Sequence, residues 1–118
     1  MKTFPIDLYG INIHFIVNKR DAAKVYKAVS GRTLDTDAAG QMWKYENGFY
    51  VCVYDDGPDC IDTLAHEISH CVIRICKYIG YNPGDEDEPF AFLTGYITKT
   101  LMFAHPKFKE ALNGSGRT

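Results

Sequence analysis

The stretch His66-Glu67-Ile68-Ser69-His70 carries the most chemistry in the chain. Residues four apart on a helix lie about one turn apart on one face. Two imidazoles so placed can reach one Zn²⁺ at roughly 2.0–2.1 Å each. Glu67 points about 100° round the helix from its neighbour, so its carboxylate can stand beside the cation rather than bind it. Metal-assisted hydrolysis uses that arrangement. The cation acidifies a water to a pKa of about 7 and polarises a carbonyl. The carboxylate takes the water's proton and later hands it to the leaving amine.

A catalytic tetrahedral site needs a third protein donor and one open position. The extended metzincin spacing is absent, because Ile73 stands where its glycine would be and Cys76 where its third histidine would be. Downstream lies the acidic run Asp85-Glu86-Asp87-Glu88. Such a run also suits a solvated loop or a helix N-terminus. Glu88 is singled out because Ala91 and Gly95 follow at i+3 and i+7, a flat face that would let its helix approach another closely. Another acid of the run, His105 or His14 are the alternatives. Tyr96, Tyr81 and His105 are candidates to stabilise an oxyanion.

These side chains need elements to hold them. Asp59 and Asp62 favour a helix start and Gly80 its stop. Between them Leu64, Ile68, Cys71, Val72, Ile75 and Ile79 form one apolar stripe, with His66 and His70 near the opposite side. Ile73, close to the histidine face, suggests that something covers that side. Glu88–Ala104 reads as a second helix ended by His105-Pro106. Upstream, Tyr9–Val17 alternates as a strand, and Asn18–Ser30 reads as a helix with Asp21 as a candidate N-cap and Gly31 as its stop. The polar stretch 32–40 follows. Gln41–Glu46 and Phe49–Tyr54 flank Asn47-Gly48, a strong hairpin signal. The expected fold is α+β: a small three-stranded antiparallel sheet packed against helices, zincin-like, with the HExxH stretch on an active-site helix. Residues 1–112 would form one such domain and 113–118 a disordered tail.

Composition bounds the rest. The 118 residues are 46% hydrophobic with a net charge of -2, which suits one globular domain and gives no electrostatic case for nucleic acid or an anionic membrane. No apolar run spans a bilayer and no signal-peptide pattern opens the chain, so the expected compartment is the cytoplasm. There Cys52, Cys60, Cys71 and Cys76 should be free core thiols.

The segment Asp59 to Thr98 resembles the gluzincin-like peptidases, in which HExxH is completed by a downstream Glu. HEISH followed by EPFAFLTGY looks most like the small metallopeptidases encoded by bacteriophages, which carry a later DExxAYLTGY-type segment. A weaker likeness is to peptidases that cleave repressors in mobile elements. The resemblance implies His66, His70 and Glu88 as Zn²⁺ ligands, Glu67 as base, and the host cytoplasm as the compartment of a phage product. Thermolysin-like gluzincins place an Asp four residues after the ligand Glu; here that position is Phe92. The expected function is zinc-dependent peptide-bond hydrolysis on a protein or peptide substrate. The alternative is a catalytically inactive, zinc-stabilised binding module acting on a host or partner protein. For substrate, Phe49–Tyr54 is the candidate edge strand, with Tyr50 and Tyr54 on one face and Tyr96 as a further contact.

Overall fold

The structure is a computed structural model and describes residues 1–82, 84 and 87–108. In chain order the elements are β1 (Lys2–Ile6), β2 (Ile11–Ile16), α1 (Lys19–Ser30), β3 (Gly40–Tyr45), β4 (Gly48–Val53), α2 (Cys60–Ile79) and α3 (Asp87–Ala104), with a 3₁₀ turn at Asp7–Tyr9. The α+β class matches expectation, but the three-stranded antiparallel sheet does not. The sheet has four strands in the order β1-β2-β4-β3, and β2 runs parallel to β4. Two signals misled. Pro5 interrupts the run that forms β1, and a proline demotes a strand reading unless the strand lies at an edge, where β1 does lie. The all-apolar run of β4 is buried along its whole length, as a strand covered on both faces should be.

The parallel pair follows from how the chain returns. α1 is about 18 Å long, close to the span of a six-residue strand. It therefore carries the chain from the carboxyl end of β2 to the far end of the sheet. Residues 31–39 bring it back, so that β3 starts where β4 ends, with Gly40 opposite Val53.

Local chemistry sets the element ends. The α1 N-cap is Asn18 rather than Asp21: its Oδ1 accepts the Asp21 amide at 2.8 Å, and its Nδ2 donates to the Asp21 carboxylate at 2.9 Å. The hairpin turn lies one residue earlier than Asn47-Gly48. Tyr45 pairs with Gly48, leaving Glu46 and Asn47 in the turn, with Glu46 at φ 54°. Gly48 belongs to β4, where a Cβ would come within 3.1 Å of His14 Nε2 and 3.2 Å of the Tyr50 ring.

The sheet is covered on both faces. On one, Ile13, Phe15, Phe49 and Val51 pack against Leu64, Ile68, Val72 and Ile75 of α2 and Leu93, Ile97 and Leu101 of α3. On the other, Trp43, Tyr50 and Cys52 pack against Ala22, Val25 and Tyr26 of α1. All four cysteines are buried free thiols, and burial pushes Cys52 and Cys71 up to about 12. Among the described residues no helix is long and apolar enough to cross a membrane.

The sheet and α2 meet closely at Gly40. A Cβ there would lie 2.6 Å from Thr63 Cγ2, 2.8 Å from the Cys52 carbonyl oxygen and 3.2 Å from Glu67 Cγ. Gly40→Ala must therefore displace α2 or the strand, and it is expected to cost about 1–3 kcal/mol in urea unfolding. An unchanged unfolding midpoint would show that α2 does not sit this close.

Candidate metal and hydrolytic site

α2 presents the HEISH stretch as its sequence dictates. The apolar stripe turns Leu64, Ile68, Cys71, Val72 and Ile75 into the core, and this leaves His66 and His70 exposed on the other side. Their rings meet edge to face with centroids 4.7 Å apart, and the two Nε2 atoms are 3.2 Å apart. A single Zn²⁺ at 2.0–2.1 Å from both nitrogens would subtend roughly 100° across that separation, close to the tetrahedral angle. The donor pair therefore fits the ion in two of its positions. Between neutral rings the same spacing allows one Nε2–H to donate to the other nitrogen.

Glu67 behaves differently from its neighbours. It is 6% exposed and turns toward the start of β3. With Ala38, Ala39, Gly40, Asp62, Thr63 and His66 it lines an open cleft of about 370 Å³. Burial raises the Glu67 carboxyl above its ordinary value, and His66 and His70 partly oppose that rise. A half-desolvated carboxylate beside two imidazoles is a stronger base than a free one.

The remaining sequence-derived site residues are scattered. Glu88 is exposed in the first turn of α3. The close helix contact expected of Ala91 and Gly95 is not made: Ala91 is exposed and a Cβ on Gly95 would meet nothing within 4 Å. α3 instead buries Leu93, Ile97, Leu101 and Ala104. Among the described residues, no three His, Cys, Asp or Glu side chains group closely enough to hold a metal ion. Asp85, Glu86 and the tail 113–118 lie outside the described residues. Ile73 is 39% exposed, so its face is more open than expected.

Compared with family models, curated proteins and solved structures, the chain matches none.

The expected substrate strand, Phe49–Tyr54, is not an edge strand. β4 is hydrogen-bonded on both sides, to β2 and to β3, so Phe49–Tyr54 has no free edge for a peptide. Tyr50 faces α1, stacked between Trp43 at 5.2 Å and His14 at 4.4 Å, on the sheet face away from α2. Tyr54 follows the end of β4. Its hydroxyl donates to the Gln41 side chain and its amide to the Ala39 carbonyl at 2.8 Å. Burial, aided by Cys52 and Glu67, holds its phenol protonated. Tyr96 stacks on Phe92 and lines a separate groove with Pro5–Tyr9. Tyr81 meets Tyr9 edge to face. The edge strand beside Glu67 is β3. Sequence reasoning missed it because strand order is not written in a hairpin; Gly40, a glycine with no turn to make, was the available clue.

The other histidines are apart from the pair. His14 stacks on Tyr50, and its Nδ1 lies 2.9 Å from the Thr3 hydroxyl. His105 is 3% exposed at the end of α3. Burial, the main cause, holds its imidazole below the usual 6.5; Asp56 opposes and Lys107 adds. Below that usual value the unfolded chain takes up a proton that the folded ring resists. Stability from this group is therefore lost as pH falls through 6.5. Relative to His105→Gln, the wild type should lose stability between about pH 7 and about pH 5 in urea unfolding. A stability difference that does not move with pH would contradict this.

Proposed function

We propose that the chain is a zinc-dependent metallopeptidase that acts on protein or peptide substrates. In this reading His66 and His70 are metal ligands, Glu67 is the general base, and the acidic start of α3, Glu88 first, supplies the third donor. The observation that carries the reading is the 3.2 Å approach of the two Nε2 atoms with a buried carboxylate between them in sequence. The likeness of HEISH and EPFAFLTGY to small phage metallopeptidases supports it.

When bound, Zn²⁺ would supply a Lewis acid that polarises the scissile carbonyl and acidifies the attacking water. The chain's own groups do the rest. Glu67 accepts the water's proton as the new C–O bond forms. It then returns that proton to the amide nitrogen as the C–N bond breaks. Its partial burial keeps the carboxylate basic enough for both steps.

Substrate can be held by β3. Among the described residues no strand pairs with its outer edge, and an extended polypeptide can add there as a further strand. A peptide laid there would pass Gly40, where the strand packs directly against Thr63 and Glu67 beside the cleft. The site is a shallow cleft rather than a deep pocket, which favours an extended or unfolded substrate.

Purified protein, stripped of metal and reloaded with one equivalent of Zn²⁺, should cleave an unfolded polypeptide and stop on chelation. One bound zinc with no cleavage of unfolded substrates would instead favour a zinc-stabilised binding module.

A further inference from the structure

A second crevice lies at the other distinctive place in this fold. β2 and β4 are neighbours and parallel, and beyond their carboxyl ends the chain departs in opposite directions. From β2 it enters α1, on one face of the sheet; from β4 it enters α2, on the other. Where adjacent parallel strands send their helices to opposite faces, the departing chains leave a gap, and open α/β sheets bind their ligands there. The gap is present in this chain as a cavity of about 360 Å³ lined by Val17, Tyr54, Asp56, His105, Pro106 and Lys107. That volume suits a small molecule.

The lining is chemically divided. Val17, Pro106 and the Tyr54 ring give apolar walls. Lys107 is held at the rim, its Nζ donating to the Asp56 carbonyl at 2.9 Å. Lys19 extends a second ammonium over the Tyr54 ring, 5.8 Å from its centroid. Asp56 brings the opposite charge, on a side chain exposed to solvent. His105 is the telling residue. It is 3% exposed yet lines the cavity. Its Nδ1 accepts the Lys107 amide at 3.2 Å, which in the neutral ring places the proton on Nε2. Nε2–H has no hydrogen-bond partner among the described residues. Burial favours that neutral ring. The ring as a whole is buried, but Nε2 is not sealed from the crevice, so an acceptor placed there can reach its N–H.

We propose that this crevice binds a small zwitterion of amino-acid size. Its carboxylate would take the His105 Nε2–H and the Lys107 ammonium, its ammonium group would face Asp56, and its apolar part would lie against Val17, Pro106 and Tyr54. An anion alone would leave Asp56 unmatched and repelled, and a cation alone would leave His105 and Lys107 unused. The inference is independent of the metal site.

The test is a titration followed by NMR of the His105 ring, on the whole chain. The probes are L-leucine, its deaminated acid isocaproate and its decarboxylated amine isoamylamine. L-Leucine should shift the His105 resonances and bind at least roughly tenfold tighter than either single-charge analogue. Asp56→Asn and Lys107→Ala change exposed side chains, so both should fold, and each should weaken L-leucine by roughly tenfold. Glu67→Gln should leave this binding unchanged, which separates it from capture at the α2 cleft. Three results would overturn the proposal: no movement of the His105 ring at millimolar L-leucine, isocaproate binding as tightly as L-leucine, or indifference to Asp56→Asn.

Discussion

Glu67→Gln is expected to abolish peptide hydrolysis while leaving zinc binding intact and the fold at least as stable. The amide keeps the shape of the side chain but cannot accept the water's proton, and loss of a general base costs on the order of 10²–10⁴ in rate. Stability should move the other way. Glu67 is a carboxylate at 6% exposure without a salt-bridge partner among the described residues, and a neutral amide avoids most of the cost of burying that charge. Active-site groups that are held against their own solvation commonly show this opposition between activity and stability. The measurements are cleavage rate, zinc stoichiometry and urea midpoint on the same preparation. A variant that cleaves at the wild-type rate removes Glu67 from the mechanism. A variant that loses zinc makes it a ligand instead.

Phe49→Ala should produce the largest loss of stability, and with it a loss of the site. Phe49 is fully buried on β4 facing α2, its ring edge-on to Tyr78 with centroids 5.7 Å apart. Removing a buried phenyl ring typically costs about 3–5 kcal/mol, from lost transfer energy and the cavity left behind. That is a large share of the roughly 5–15 kcal/mol that holds a domain of this kind together. α2 is seated on the sheet through this contact and its neighbours, and the two imidazoles owe their separation to α2. Thermal unfolding should fall well below the wild type, and zinc affinity should fall with it. Full zinc affinity in a strongly destabilised Phe49→Ala would mean that the isolated helix, not the packed one, presents the histidines.

Much of this molecule can be read from the order of its residues, for identifiable reasons. α2 was legible because its apolar stripe, Leu64 to Ile79, repeats at the helical period and Gly80 ends it, with φ 87°. The pairing of His66 with His70 followed from the same geometry, since four residues fix both face and rise. The hairpin is legible, although its turn lies one residue earlier than Asn47-Gly48 suggests: Gly48 is a strand glycine crowded by His14 and Tyr50. β1 escaped because Pro5 is tolerated only at an edge, and an edge is a property of the whole sheet. The parallel pairing of β2 with β4 escaped for a related reason. It depends on residues 31–39 running back the length of the sheet, and a polar stretch carries no period from which a path can be read. The small residues Ala91 and Gly95 suggested a helix contact that α3 does not make, because Leu93, Ile97 and Leu101 offer more apolar area to bury.

The central claim is that two imidazoles one helical turn apart hold one divalent cation. Its most direct test is calorimetric titration of Zn²⁺ into chelator-stripped protein, run on the wild type, on His66→Ala/His70→Ala and on Glu88→Gln. The wild type should bind one ion per chain. The double variant should bind none, and Glu88→Gln should bind more than about a hundredfold more weakly, beyond what outer-shell changes produce. Zinc affinity equal to the wild type's in Glu88→Gln would move the third donor elsewhere. A wild-type chain that takes up no zinc, or takes it up equally well without His66 and His70, would contradict the account.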